Sequence, residues 1–526
     1  MELKLADNRF FLLFVAFVSG ASIMCLELAA SRVLAPSFGS SIYVWGALIG
    51  VIMAALSLGY FLGGWVADRE GGITALFKCM AYSGVLISLI PAVSKPVLAY
   101  TMRWGLVFGP VAASFILFAL PMILLSMVSP MVVKAYAGKI STVGGSAGLV
   151  FAVATVGSMV GTFSAAFVML PALGVRAVLL ADAVVVFLIG FAGLGRREYL
   201  LLVLFLVPGV ASAHAQCVDL KGFELLYCGE SEYNVIGVYD SPWYRVLTLN
   251  DGSLVQTVER KGSPLTGMYY DVYSLGPLLT SGKRVLFFGL AGGTAVKQLI
   301  MFHEVNVDAV EIDGKVVDVA RDYFNVTEGD GLRIFVADGR RYLSESGEYQ
   351  RPAAKAAGLI RRKLPNQVES LRLPPEEDSF RAYDMVGVDV FNGPNLPVHM
   401  STVEFFSEVS DHLGDDGVVM VNVVSSKGDR SVGDAVAYTM KQVFPSVYTV
   451  DLEYNRIIVA FKKETSESEV IRRLKANSNP LLKGVVEGAV LNLREFNAVS
   501  GVVLTDDRSN IEELTFKAFA SQWHQL

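Results

Sequence analysis

Histidine and cysteine are scarce in this chain, at five and four among 526 residues. Cys25 and Cys79 fall inside apolar runs, where a free thiol packs as a small hydrophobe. Cys217 and Cys228 have no metal-ligand spacing, and the histidines do not cluster near them, so no metal site is expected. A basic excess is also lacking. The net charge is −6, so the electrostatic footprint of a nucleic-acid binder is absent and no such partner is expected. Charged residues make up 18%, where a soluble protein carries about a quarter. That deficit sits almost wholly before residue 214.

What fills that stretch is apolar sequence. Runs near 10–30, 42–67, 73–93, 106–132, 145–171, 175–195 and 199–213 give about seven spans. An open strand cannot satisfy its hydrogen bonds in lipid, so the spans are expected to be helices. Gly59 with Gly63, and Gly157 with Gly161, have the four-residue spacing that lets helix backbones approach closely. Glu27 and Asp182 stand inside spans. A charge there is costly unless paired or hydrated, so each is either a buried structural ion pair or a site for a cationic ligand.

Orientation follows from the basic residues. With the N-terminus in the cytoplasm, the inner segments hold Lys4, Arg9, Arg69, Lys78, Lys134, Lys139, Arg196 and Arg197. The other side holds Arg32, Lys95, Arg103 and Arg176. This asymmetry favours a cytoplasmic N-terminus, and seven spans then carry residues 214–526 outside. Arg196-Arg197, the apolar run 199–210 and Ala211-Ser-Ala-His-Ala215 read either as a short seventh span or as a signal-peptide-like segment.

The rest has an α/β rhythm. Phe223–Tyr227, Val235–Tyr239 and Tyr244–Leu249 are candidate strands of a β-rich lead-in, with Asn250-Asp251-Gly252 as a turn. Strand Arg284–Phe288 runs into the glycine turn Gly289-Leu-Ala-Gly292-Gly293-Thr294 and a helix. Further strands are expected at Val307–Ile312, Leu332–Val336, Asp384–Val390 and Gly417–Val424. Strands alternating with helices imply a parallel sheet. The expected architecture is a multi-pass α-helical membrane domain (1–213), a β lead-in (214–280) and a Rossmann-like α/β domain (281–526).

The chemistry-bearing residues stand at strand ends, where open α/β sheets bind ligands. Gly289, Gly292 and Gly293 let backbone N–H groups approach a ligand. Glu311 ends the second strand, in position to accept hydrogen bonds from ribose hydroxyls. Asp338 and Gly339 follow the third strand. Together they point to a nucleoside-containing ligand.

These residues, with Glu230-Ser-Glu-Tyr-Asn234, Asn250-Asp-Gly252, Val310-Glu-Ile-Asp313, Ala337-Asp-Gly-Arg340 and Asp389-Val-Phe-Asn-Gly393, resemble the spermidine synthases, or polyamine aminopropyltransferases. Pro397-Val-His-Met-Ser-Thr402, Glu404-Phe-Phe406, Leu504-Thr-Asp-Asp-Arg508, Glu27 through Arg32 and Phe38-Gly-Ser-Ser-Ile-Tyr43 resemble its membrane-fused branch. The resemblance implies decarboxylated S-adenosylmethionine as a co-substrate donor, no permanently bound cofactor, and an amine such as putrescine as acceptor. It implies ribose binding by Glu311, adenine binding by Asp338, and Asp389 as the general base. It also implies substrate contacts from Gln256, Tyr269, Tyr270, Asp271 and Asn392. A lipid bilayer and a second copy of the chain complete the expected partners. An ammonium is not a nucleophile, so a base must take its proton before attack.

The departures are specific. Soluble members have an Asp inside the glycine turn, where this chain has Gly292, and a second acid where it has Asn392. Two acids that hold amines are therefore replaced, and the glycine predicts room for a full S-adenosylmethionine. Three functions stand: aminopropyl transfer, another S-adenosylmethionine-dependent transfer such as methylation, and a polyamine transporter or sensor with a binding-only soluble domain. The excursion 345–381, with Lys355, Arg361, Arg362 and Lys363, reads as a lipid-touching amphipathic segment or a solvated loop. Asp506-Asp507-Arg508 reads as extra acids for the site or as a local turn with an ion pair. With the domain outside, a Cys217–Cys228 disulfide is expected. Supply of a cytoplasmic donor argues the other way.

Overall fold

The computed structural model describes residues 8–39, 42–69, 72–137, 143–194, 217–231, 233–250, 254–329, 331–344, 382–391, 396–425 and 429–523. The chain forms two compact units, Met1–Val218 with Cys228–Val235, and Asp219–Tyr227 with Ile236–Leu526.

The first unit is helical. Its helices are α1 (Arg9–Phe38), α2 (Ile42–Ala67), α3 (Gly72–Thr101), α4 (Gly105–Ser114), α5 (Leu120–Ala137), α6 (Val143–Ser164) and α7 (Leu170–Leu194). A π turn at Phe115–Ala119 joins α4 to α5, and another at Ala165–Met169 joins α6 to α7. Among the described residues, five helical runs are long and apolar enough to cross a membrane. The last, Val143–Leu194, has 52 residues, roughly twice what one crossing needs. It is broken at Gly174, whose φ of 76° and ψ of 168° are not helical. The expected 145–171 and 175–195 spans are the two arms of this broken run. The seventh expected span, 199–213, lies outside the described residues.

Small residues set the helix contacts. A β-carbon on Gly59 would strike Ser126 and Ile123 of α5, and one on Gly63 would strike Met127. Gly157 and Gly161 lie against the backbone of Phe17 and Ala21 on α1. Gly84 of α3 meets Ala183 and Phe187 of α7. Each glycine thus stands where a larger residue would push neighbouring helices apart. Cys217 and Cys228 are joined by a disulfide.

Among the described residues, two sheets are formed from Glu224 onward. Strands β1 (Glu224–Glu230), β2 (Val235–Asp240), β3 (Tyr244–Leu249) and β4 (Leu254–Arg260) form one, in the order β1-β2-β3-β4. After the short helix α8 (Tyr270–Tyr273) come β5 (Arg284–Phe288), α9 (Thr294–His303), β6 (Asn306–Glu311), α10 (Gly314–Phe324), β7 (Leu332–Val336), α11 (Gly339–Ser344), β8 (Tyr383–Val388), α12 (Val403–Asp411) and β9 (Leu413–Val424). The chain continues through α13 (Ser431–Met440), β10 (Ser446–Asp451), β11 (Asn455–Phe461), α14 (Glu467–Lys475), α15 (Lys483–Asn492), β12 (Leu493–Glu495) and α16 (Ile511–Trp523). The larger sheet has the order β12-β10-β11-β9-β8-β5-β6-β7. Strands β5 to β9 pair in parallel, while β10, β11 and β12 add an antiparallel edge.

Both faces of this sheet are covered. Along β5, Val285 and Phe287 enter one core with Val296 and Leu299 of α9 and Val316 of α10. Leu286 and Phe288 enter the other with Phe405 of α12, Val436 of α13 and Ile511 of α16. Because successive side chains alternate across a strand, a continuous apolar run is what a sheet covered twice requires.

Candidate active site

The strand order reverses between β5 and β8: β6 and β7 extend to one side, β9 and the antiparallel edge to the other. Ligands of open α/β sheets bind beyond the carboxyl ends at such a point. The glycine turn leaves β5 there, Glu311 ends β6, Asp338 follows β7 and Asp389 follows β8. The topology therefore brings four of the expected groups to one edge.

The glycine turn is shaped by its neighbours. Gly289 has a φ of 88°, and a β-carbon there would strike the carbonyl oxygen of Asp389. The two loops touch backbone to backbone. Gly293, with a φ of 75°, leads into α9. At Gly292 the outcome differs from the expectation of free room. Its N–H donates to Thr257 Oγ1 at 2.7 Å, and a β-carbon would meet Thr257 Cγ2. The buried Thr257 of β4 fills the space beside the missing carboxylate.

Glu311 binds the same turn. Its Oε2 accepts the N–H groups of Leu290 (3.0 Å) and Ala291 (3.2 Å), and its Oε1 accepts that of Asp313 (3.1 Å). Burial raises its pKa, against the pull of these three donors. Each carboxylate oxygen has two lone pairs, so one site remains, on Oε1, for a ribose hydroxyl.

Asp338 caps α11. Its Oδ1 accepts the N–H groups of Arg340 and Arg341, both at 3.0 Å, and His399 Nε2 lies 2.9 Å from its Oδ2. The histidine hydrogen bond holds the Asp338 carboxyl below the usual range. Gly339 is buried, and a β-carbon there would press on Met400 and Phe288.

Asp389 has both oxygens engaged. Asn422 Nδ2 donates to Oδ1 at 2.9 Å, and the Tyr269 hydroxyl donates to Oδ2 at 3.2 Å. Burial pushes the carboxyl up to about 6, while these two donors oppose the shift. A base of that strength is mostly ionised at neutral pH yet able to accept a proton.

The lead-in residues divide by role. Tyr269 reaches Asp389, and Tyr270 packs on it with ring centroids 4.0 Å apart. Asp271 is buried and turned to its own loop. It accepts from the Thr266 N–H and hydroxyl, the Gly267 N–H and the Gln298 amide. Gln256 is half-buried on β4. Asn392 and the excursion 345–381 lie outside the described residues. Asp506 pairs with Arg340 and accepts from Thr402, in a local turn closed between Thr505 and Arg508.

No protein-family model matches the chain. A probable polyamine aminopropyl transferase of Bifidobacterium longum is 28% identical over 339 residues, covering 59% of this chain and 68% of that protein. A polyamine aminopropyltransferase of Vibrio vulnificus is 27% identical over 254 residues, covering 46% and 74%. Both relatives thus carry polyamine aminopropyltransferase names, and the chain is similar to them over about half of its length or more. Among solved structures, a probable spermidine synthase from Corynebacterium glutamicum has a TM-score of 0.37 and 17% identity, covering 56% of this chain and 99% of its own.

Two site neighbours, Asn422 and Thr257, are not among the residues that the sequence singles out. Asn422 carries a usable signal, as a lone amide inside the apolar run Val418–Val424; a buried polar group of that kind needs a partner. Thr257 carries none, since its role depends on β4 meeting the glycine turn; His399 lies in the motif 397–402, but its place beside Asp338 depends on two loops remote in sequence.

Proposed function

We propose that this chain is a membrane-anchored transferase that moves the aminopropyl group of decarboxylated S-adenosylmethionine to an amine such as putrescine and releases methylthioadenosine. The observation that carries the reading is Asp389: a half-buried carboxylate at the switch point, with both oxygens oriented and a pKa near the working range. The acceptor ammonium gives a proton to Asp389. Its nitrogen then forms a bond to the carbon beside the sulfonium, the carbon–sulfur bond breaks, and the electron pair stays on sulfur. Glu311 holds the ribose while it also braces the glycine turn. Asp338 accepts from the adenine amine. Tyr269 and Tyr270 form an aromatic wall beside the attacking amine, and Gln256 and Asn392 supply amide contacts to it. Asp271 acts at one remove, by fixing the loop that carries Tyr269.

A second reading is transfer of a methyl group from S-adenosylmethionine itself. It is favoured by the hydroxyl of Thr257 beside Gly292, where soluble members carry an acid for the aminopropyl ammonium. Product analysis with the purified chain separates the two. Methylthioadenosine with an aminopropylated amine supports the first, and S-adenosylhomocysteine overturns it.

The apolar helices make the chain an integral membrane protein in this reading. The disulfide and the charge asymmetry favour a catalytic domain on the oxidising side.

A further inference from the structure

The helical unit holds a carboxylate that aminopropyl transfer does not use. Asp182 lies on α7, about two turns past the break at Gly174, and is only 9% exposed. The Ser22 hydroxyl of α1 donates to its Oδ1. Its Oδ2 is buried and has no hydrogen-bond partner among the described residues.

The surroundings are apolar. Cys25, one turn beyond Ser22, packs with Leu170, Val178 and Ala165, the first residue of the π turn. On the far side, Gly84 of α3 lies against the backbone of Ala183. Cys25 of α1 is a titratable side chain near Asp182, and α3 offers Gly84 and Ser83 along this stretch. No ion pair of Asp182 occurs among the described residues. A carboxylate held by one hydroxyl in such a place is unfavourable, while the neutral acid leaves only a hydroxyl unsatisfied. A metal cation would need about six oxygen ligands, where one carboxylate and one hydroxyl are present. An ammonium brings three donors, where the buried Oδ2 is the one acceptor without a partner at this place among the described residues. A proton is the occupant that fits.

Broken helices and π turns mark places where a membrane helix changes shape. Asp182 joins α1 to the second arm of such a helix. We propose that Asp182 is a reversible proton-binding site of the helical unit. The proton resides on Oδ2 while α1 and α7 are packed, and it leaves to water when that junction opens. The helical unit then does more than anchor the chain.

The test is carbodiimide modification of the full chain in lipid vesicles, read by peptide mass spectrometry. Carbodiimide takes up the acid's proton and adds to its oxygen, so it reports protonated carboxyls within apolar surroundings. The Asp182 peptide should gain the adduct at about pH 6 and lose at least about tenfold of it by about pH 9. Glu27→Gln should leave that profile unchanged, which separates Asp182 from the other intramembrane acid. Asp182→Asn should abolish the adduct on this peptide. Absence of modification at both pH values in the wild type would overturn the proposal. So would equal modification at both. If Asp182→Asn does not fold, the wild-type and Glu27→Gln profiles still decide.

Discussion

The side-chain amide of Asn422 donates to Asp389 Oδ1 at 2.9 Å, and it accepts in turn from Asn455 at 3.0 Å. Asn422 is fully buried on β9, and β11 carries Asn455 alongside. An amide cannot take the proton that Asp389 is to accept. It can fix the plane of the carboxylate and favour its charged form. Burial pushes Asp389 up, and the Asn422 and Tyr269 donors bring it back to about 6. Asn422 is thus a positioning residue.

Turnover should fall on the acid side with this group. Asp389 works as a base only when ionised, and its pKa lies above the ordinary 3.8. The log of kcat/KM should therefore be flat near neutrality and drop as pH passes below about 6. A profile flat down to pH about 4, the ordinary range of an exposed carboxyl, would remove Asp389 from the rate law. Asp389→Asn should keep nucleoside binding and lose about two to four powers of ten in turnover.

Replacing Asn422 tests the positioning. Asn422→Leu removes a donor to the charged form, so the Asp389 pKa must rise. A hydrogen bond to a charge contributes about 1.5–3 kcal/mol, so the acid limb should move up by about one to two pH units. An unmoved limb with reduced turnover would mean that Asn422 only holds the strand.

Glu311→Ala should weaken methylthioadenosine by at least about tenfold, from the loss of charge-assisted hydrogen bonds. It also leaves the Leu290 and Ala291 N–H groups without their acceptor. Isothermal calorimetry measures the effect, and unchanged affinity rejects the ribose role.

Asp338 allows a sharper test, because its two oxygens differ. Oδ1 caps α11, and Oδ2 faces His399. Asp338→Asn keeps an oxygen for the cap and presents an amide N–H in place of Oδ2. Two donors then face each other at the adenine amine. Affinity for methylthioadenosine should fall about tenfold or more, while methylthioinosine, with an oxygen at that position, should gain on it. Equal losses for both ligands would separate Asp338 from base recognition.

Much of this arrangement is legible in the sequence because it is local. The strand Arg284–Phe288, the turn from Gly289 and the acid Glu311 follow from an apolar run, a glycine cluster and a fixed spacing, and they fold as neighbours. What stays hidden is pairing between distant segments. Thr257 filling the space beside Gly292 depends on one sheet meeting another. The antiparallel edge is not announced by the strand–helix rhythm, since β10 and β11 follow each other with no helix between them. Asp271 reads in the sequence as a ligand for amines, yet Gln298, on α9, draws it to its own loop. In the helical unit, hydropathy separates the runs 145–171 and 175–195, and the break at Gly174 falls between them; that α6 and α7 continue as one broken run across it depends on backbone geometry that hydropathy does not report.

The side of the membrane on which the catalytic domain lies can be read with a single added thiol. Cys217 and Cys228 are bonded, and disulfides persist in oxidising compartments. The charge asymmetry of the flanking segments agrees. Against this stands the supply of a cytoplasmic donor, which an external domain must receive across the bilayer. The remaining cysteines, Cys25 and Cys79, are buried, so the added thiol reports cleanly. Val499 is 96% exposed, in a segment away from Asp389 in sequence and outside the proposed site. Val499→Cys should react with a membrane-impermeant maleimide in intact cells, to about the extent reached after lysis. The wild type should stay unlabelled unless first reduced, when Cys217 and Cys228 become available. Labelling of Val499→Cys only after lysis would put the domain in the cytoplasm. The disulfide would then have to survive a reducing compartment, and the donor would need no passage across the membrane.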